Sequence, residues 1–185
     1  MIGWKARFGV ILPSVNTTTE PEFYRCMPEG VTAHFTRMEF KETTPEYFEG
    51  MINDVPSGAR MLSHAMVDAA LFACTSGSLY GGLGYDQKII SKIKENIDVP
   101  ASTTSTAVVE AFKAMGIKKI AVATPYEDWV NDLEKKFFEE SGVQVLHIQG
   151  LGLRGLAFGL AVVAVSRRAL RARLWRCTCV VRRRA

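Results

Sequence analysis

The chain has 185 residues, 48% of them hydrophobic and 23% charged, which excludes an intrinsically disordered or collagen-like chain and suits one sizeable core or two small lobes. Its formal net charge of +4 averages two unlike parts. Residues 1–150 hold all 19 acidic side chains against 14 Lys and Arg, a charge of −5, whereas residues 151–185 hold nine Arg and no acid, a charge of +9.

In chain order, residues 7–12 form a short apolar run closed by Pro13, which reads as a buried strand. Thr17 and Glu20 have the spacing of a capping box, so a helix is expected over 20–26. Residues 31–38 alternate with β-branched and aromatic side chains and read as a second strand. Thr44-Pro45 is an N-cap and first-turn pair; Pro56 is expected to interrupt or restart the helix it opens. Residues 69–73 are a fully apolar strand running into Cys74, followed by a Gly-rich loop to Gly84 and a helix over 85–96. A short strand over 99–102 and a helix over 106–115, stopped by Gly116, come next. Residues 118–123 read as a strand, Thr124-Pro125 as the start of a long helix ending near Gly142, and 143–148 as a last strand.

Strands alternating with helices across short connections imply an α/β fold with a parallel sheet flanked by helices. Ligands of such sheets bind beyond the carboxyl ends of the strands. Three loops there share neutral hydroxyl and amide groups: residues 13–19, 74–78 and 102–106. Such donors suit a carboxylate, or the enediolate that forms when a carbon beside a carboxylate loses a proton or CO2. Any one of these loops can also be explained by helix capping; their convergence is what points to a site.

Cys74 ends an apolar strand where backbone N–H groups could lower its pKa and make it a thiolate nucleophile or base; the other reading is a buried structural cysteine. Cys26 falls on a helix and is read as structural. Tyr126 follows a strand end and could present its hydroxyl to the cleft, whereas Asn131 is expected to be solvent-exposed. The glycines at 81, 82 and 84 do not make a dinucleotide fingerprint, and no phosphate-binding loop is present. The four cysteines are too few and too uneven for a secreted disulfide framework, and they and the three scattered histidines have no zinc-site spacing. No signal-peptide pattern opens the chain, and its longest apolar run, 155–165, is well short of the roughly 20 residues that span a bilayer. A reducing, cytoplasmic setting is expected.

Four stretches resemble the aspartate/glutamate racemase superfamily, in the branch of maleate cis-trans isomerase, arylmalonate decarboxylase and ectoine-utilisation homologues. They are GVILPSVNTTTE at 9–20, ACTSGS at 73–78, VPAST at 99–103 and ATPY at 123–126. The resemblance covers about residues 5–150. It implies two similar α/β lobes facing each other across the active site, each presenting one cysteine. It implies that Cys74 is catalytic, that Ser14, Asn16 and Tyr126 hold substrate carboxylates, and that Thr75 and Ser76 resemble the oxyanion-binding pair of the decarboxylases. In the isomerases the first cysteine adds to a double bond; in the racemases a cysteine pair moves protons; in the decarboxylases the first position is typically not cysteine. A small carboxylate or dicarboxylate substrate, a homo-oligomer in the full-length family, and no metal or organic cofactor are implied.

The resemblance divides the chain into a first lobe over 1–115, the start of a second lobe over 116–150, and an aberrant tail over 151–185. Of the tail's 35 residues, 29 are Arg, Ala, Leu, Val or Gly, and none is Asp, Glu, Lys, Asn, Gln or Pro. Such usage is expected of a shifted reading frame. Cys177 and Cys179 lie among arginines and are not assigned the second-cysteine role. A basic arm for nucleic acid or anionic lipid is the rival reading of the tail, opposed by the absence of a polar face in 155–165 and of any nucleic-acid-binding motif. The expected function is a cofactor-independent isomerase or racemase of small carboxylates, impaired in this chain. An arylmalonate-type decarboxylase and a non-catalytic carboxylate-binding lobe are the alternatives.

Overall fold

A computed structural model describes residues 2–153; the Arg-rich stretch from 154 on, with Cys177, Cys179 and the expected frame shift, lies outside the described residues. Strands β1 (Ala6–Pro13), β2 (Val31–Met38), β3 (Ala69–Phe72) and β4 (Ala101–Thr103) form one sheet in the order β2-β1-β3-β4. Every pairing in it is parallel, with Val10 of β1 opposite Phe35 on one side and Leu71 on the other. This is the expected four-stranded, helix-flanked α/β lobe. β1 is central, and its Val10, Ile11 and Leu12 are fully buried, which is why that run reads as continuous rather than alternating.

Helices α1 (Thr19–Cys26), α2 (Pro45–His64), α3 (Thr75–Leu79), α4 (Tyr85–Lys94) and α5 (Thr104–Ala114) make the connections. α2 packs on β1 and β2 and α4 on β3 and β4, so the main core lies under these two helices. Pro56, expected to break the second helix, sits inside an unbroken α2. An interior proline costs about 3 kcal/mol. The buried stripe Phe48, Met51, Val55, Ala59 and Leu62 outweighs it, at about 1.5–3 kcal/mol for each large side chain.

One expected cap and one expected loop are corrected. The Thr17–Glu20 capping box does not form: Asn16 Oδ1 instead accepts the N–H groups of Thr18 at 3.1 Å and Thr19 at 2.9 Å. Glu20 is drawn away to Arg37 at 2.6 Å. An asparagine two residues upstream competes well for these donors because its short side chain folds back on its own turn. The stretch after Cys74, expected as loop, opens with the short helix α3.

A second, two-stranded parallel sheet pairs β5 (Lys119–Thr124) with β6 (Gln144–Gly150) through α6 (Asp128–Glu140). α6 starts at Asp128 and not at Thr124-Pro125, so Pro125 and Tyr126 belong to the strand-end turn. Phe137 and Phe138 of α6 pack with Val143, Val145 and Leu79 in a smaller core. Ring contact between Phe48 and Trp129, 6.0 Å between centroids, joins α2 to α6. Among the described residues no helix is long and apolar enough to cross a membrane.

Candidate active site

The strand-end loops converge. One cavity of about 740 Å³ is lined by Pro13 at the end of β1 and Val15 and Asn16 after it, by Ala73–Ser76 after β3, by Thr104 after β4 and by Pro125 and Tyr126 after β5. Of the six residues singled out in sequence, Asn16, Cys74, Thr75, Ser76 and Tyr126 line it. Ser14 does not. Its hydroxyl donates to the Phe40 carbonyl and accepts the Phe40 N–H, both at 3.1 Å, so it ties the end of β1 to the segment after β2 instead of reaching a ligand.

Cys74 is the N-cap of α3, and its Sγ accepts the Gly77 N–H at 3.4 Å and lies 3.8 Å from Ser76 Oγ. Gly77 is closely packed against the thiol. A Cβ there would stand 2.9 Å from Met51 Cε and 3.0 Å from Cys74 Sγ, so a side chain would force apart the atoms that bring N–H to sulfur. The expectation that backbone donors lower the thiol's pKa is corrected. Cys74 is only 8% exposed, and burial pushes the thiol up; the Gly77 N–H and Ser76 hydroxyl act the other way without overcoming it.

Tyr126 is 9% exposed and its phenol is hydrogen-bonded by both the side chain and the backbone of Ser76. Burial, then the Glu134 and Cys74 charges, push its pKa up, so it remains a neutral hydrogen-bond donor at physiological pH. Thiol, serine and phenol thus form one cluster on the cavity floor. Asn16 has its Oδ1 committed to the start of α1, which leaves its amide Nδ2 as the group able to address a ligand.

Asn131, expected to be exposed, is 4% exposed and secures the Tyr126 turn. Its Oδ1 accepts the Thr124 hydroxyl at 2.5 Å, and its Nδ2 donates to the Tyr126 carbonyl at 3.4 Å. Thr124 Oγ1 in turn accepts the Tyr126 N–H at 3.2 Å. Gly150 of β6 completes the strap: a Cβ there would collide with the Tyr126 carbonyl oxygen and Asn131 Nδ2. One turn along α6, Glu134 is 5% exposed, its Oε2 has no partner among the described residues, and burial pushes its pKa up to about 7. The signal for both was present in the sequence. Val130, Asn131, Glu134, Phe137 and Phe138 make one helical stripe, and two polar residues on an apolar stripe are buried polar residues.

The hydroxyl loop over 102–106 contributes less than expected. Only Thr104 lines the cavity. Thr103 Oγ1 accepts the Thr106 N–H at 3.2 Å and caps α5, and Thr106 donates to the buried Asp86 carboxylate at 2.5 Å. Cys26, read as structural, is exposed and also lines the cavity, on the α1 wall with Phe23 and Met27. Among the described residues no group of three His, Cys, Asp or Glu could hold a metal ion.

The chain is similar to known proteins. The family model described as arylmalonate decarboxylase matches residues 8–178. A maleate isomerase of Pseudomonas putida is 31% identical over 151 residues, which are 75% of this chain and 60% of that protein. An arylmalonate decarboxylase of Bordetella bronchiseptica is 30% identical over 113 residues, 61% of this chain and 47% of that protein. Among solved structures, the maleate isomerase of Pseudomonas putida S16 with maleate superposes with a TM-score of 0.73 at 28% identity, covering 81% of this chain and 65% of that one. The chain thus spans about 60% of the length of the maleate isomerase relative it matches. A match across most of the chain places it in the arylmalonate decarboxylase family.

Proposed function

We propose that the protein is a cofactor-independent isomerase of small dicarboxylates that works through Cys74. One observation carries the reading: a buried thiol, Ser76 and a neutral phenol line one cavity together with the neutral polar groups of Asn16, Thr19, Thr75 and Thr104, among mostly apolar side chains and a single carboxylate, Glu22. The maleate isomerase relatives supply the substrate class. The Cys74 thiolate attacks one olefinic carbon of a cis-butenedioate. A C–S bond forms while the π pair moves to the neighbouring carbon and into its carboxylate as an enediolate. Rotation about the new single bond and expulsion of the thiolate restore the double bond in trans form, so the reaction begins and ends with the same thiolate. Tyr126 and the Asn16 amide donate to the two carboxylates, and Thr75 and Ser76 stabilise the enediolate. Burial raises the thiol's pKa and a bound dianion raises it further, so forming the thiolate is part of the barrier, offset by the Gly77 N–H and Ser76 hydroxyl that hydrogen-bond the sulfur.

The test uses the chain with Cys26, Cys177 and Cys179 changed to Ser. Incubation with maleate should leave a thioether adduct on Cys74, visible by peptide mass mapping once the carbanion is protonated, and Cys74→Ala should abolish it. No adduct in the folded protein would sink the reading. Fumarate formation by the 185-residue chain, followed by proton NMR, is expected to be low, because the second cysteine that the resemblance implies has no counterpart among the described residues. Robust fumarate formation would overturn that expectation. Thr75 and Ser76 on the cavity wall favour the decarboxylase as the second reading; CO2 release from an arylmalonate without a thioether adduct would select it. Deuterium exchange at the α-carbon of a saturated carboxylate would select a racemase.

A further inference from the structure

We propose that Ser78 and Ser105 are positioning residues that hold the Cys74–Gly77 turn in the register that aims the Gly77 N–H at the Cys74 sulfur. Neither touches the cavity. Both are buried, at 0% and 1% exposure, and their hydroxyls are 2.5 Å apart although they come from different helices. The Ser78 hydroxyl lies 2.9 Å and the Ser105 hydroxyl 3.3 Å from the Thr75 carbonyl, so both reach that acceptor, and Ser105 Oγ is also in hydrogen-bond contact with Ser78 Oγ. The Ser105 N–H donates to Ser78 Oγ at 3.3 Å. The Thr75 carbonyl, one residue after the thiol, is therefore fixed from α5.

α5 can serve as the anchor because its first turn is itself tied down. Thr103 caps it, Thr106 reaches the buried Asp86, and Thr104 Oγ1 donates to the Phe72 carbonyl of β3 at 3.3 Å. α3 has only five residues, so it cannot hold its own first turn by helix cooperativity. The bond from Gly77 to sulfur, at 3.4 Å, depends on the direction of the N–H, so a rotation of the turn weakens it. An interhelical hydroxyl pair with no solvent access is a rigid restraint, because each lost donor would strand a buried oxygen.

The inference rests on reading Cys74 as the reacting thiol, but its test does not depend on turnover. In the single-cysteine chain, the pH midpoint of Cys74 ionisation is read from its 13Cβ chemical shift, beside Ser78→Ala, Ser105→Ala and the double variant. Either single change should raise the midpoint by about half a unit or more, about threefold less thiolate at a given pH below it. The double variant should add little to Ser78→Ala, since both act through one carbonyl. Ser105→Thr, which keeps the hydroxyl, should restore the midpoint. Ser91→Ala, which removes an exposed hydroxyl bonded at 3.0 Å to the Gln87 carbonyl, should leave it unmoved. An unchanged midpoint in folded Ser78→Ala and Ser105→Ala would overturn the inference, as would loss of the whole fold in both, which would make the pair a general core element. If the midpoint moves but no dicarboxylate ever adds to Cys74, the proposed activity fails and the positioning role stands.

Discussion

The two sheets solve the same folding problem to different degrees. In the four-stranded sheet, β1 lies between β2 and β3, and its last five residues are buried. In the two-stranded sheet, Lys119, Ala121 and Ala123 of β5 are exposed between half-buried neighbours, and Leu146 of β6 is 49% exposed. One face of the second sheet rests on α6 and the other is open among the described residues. A parallel strand pair normally has both faces covered, so the first sheet is a finished layer and the second is half of one. The cavity lies where the two meet, and it takes its thiol from the finished part and its phenol from the other.

The largest effect should come from the two cores. Phe72 in the first and Phe137 in the second are 1% and 2% exposed. Phe72→Ala should cost about 3–5 kcal/mol in urea unfolding followed by circular dichroism. Phe137→Ala should cost distinctly less, because the smaller cluster beside an open strand can collapse into the space. Equal losses would break the contrast between a closed and a half-closed layer.

Next comes the buried acid in each region. Asp86 in the first is 6% exposed and accepts from Thr106 at 2.5 Å and Gln87 at 3.0 Å. Glu134 in the second is as deeply buried with an oxygen left unpartnered among the described residues. Its pKa is raised from 4.5 to about 7 in the folded protein, so the folded state binds the proton more tightly. Stability linked to that proton is fully present below about pH 4.5, falls as the unfolded chain ionises, and is gone above about pH 7. The swing is about 3 kcal/mol. Glu134→Gln should flatten the stability profile across that window, as read by urea midpoints at a series of pH values. A profile unchanged by the substitution would show that Glu134 finds a partner and that the second region is better satisfied than its described residues indicate.

Strands were the most legible part of the chain, because apolar runs such as 7–12 and 69–73 have few other uses in a parallel sheet. α3 was not legible: TSGSL has no apolar stripe and contains glycine, and it is helical because Cys74 caps it and α4, α5 and α6 pack around it. Pro56 misled for the converse reason, a strong local signal overruled by the burial of α2. At the site, residue types were readable and their duties were not. Ser14 and Asn16 are neighbours in one loop, yet the Ser14 hydroxyl is used up on Phe40 while Asn16 divides its amide between helix and cavity. The Asn16 oxygen is consumed by its own turn, whereas the Ser14 hydroxyl is consumed by the segment after β2, a partner distant in sequence that the local pattern does not reveal.

The smallest effects separate these duties. Each region holds its strand-end loop with one asparagine. Asn131 is buried and uses both ends of its amide, so Asn131→Ala should cost about 1–3 kcal/mol and loosen Tyr126. Asn16 is partly buried and uses one end, so Asn16→Ala should cost about 1 kcal/mol, the usual loss of a cap. Asn16→Asp is the sharper variant. A carboxylate keeps the oxygen that accepts the Thr18 and Thr19 N–H groups, and a negative charge at a helix N-terminus is favourable, so stability should hold or rise slightly. The same change replaces the two N–H donors of a cavity-lining amide with an anion. Dicarboxylate binding, measured by calorimetry with maleate, should then fall below detection in a protein as stable as the parent. Binding that survives Asn16→Asp would remove Asn16 from the carboxylate site and leave it as a cap alone, so that the whole burden of anion recognition would pass to Tyr126, Thr75 and Ser76.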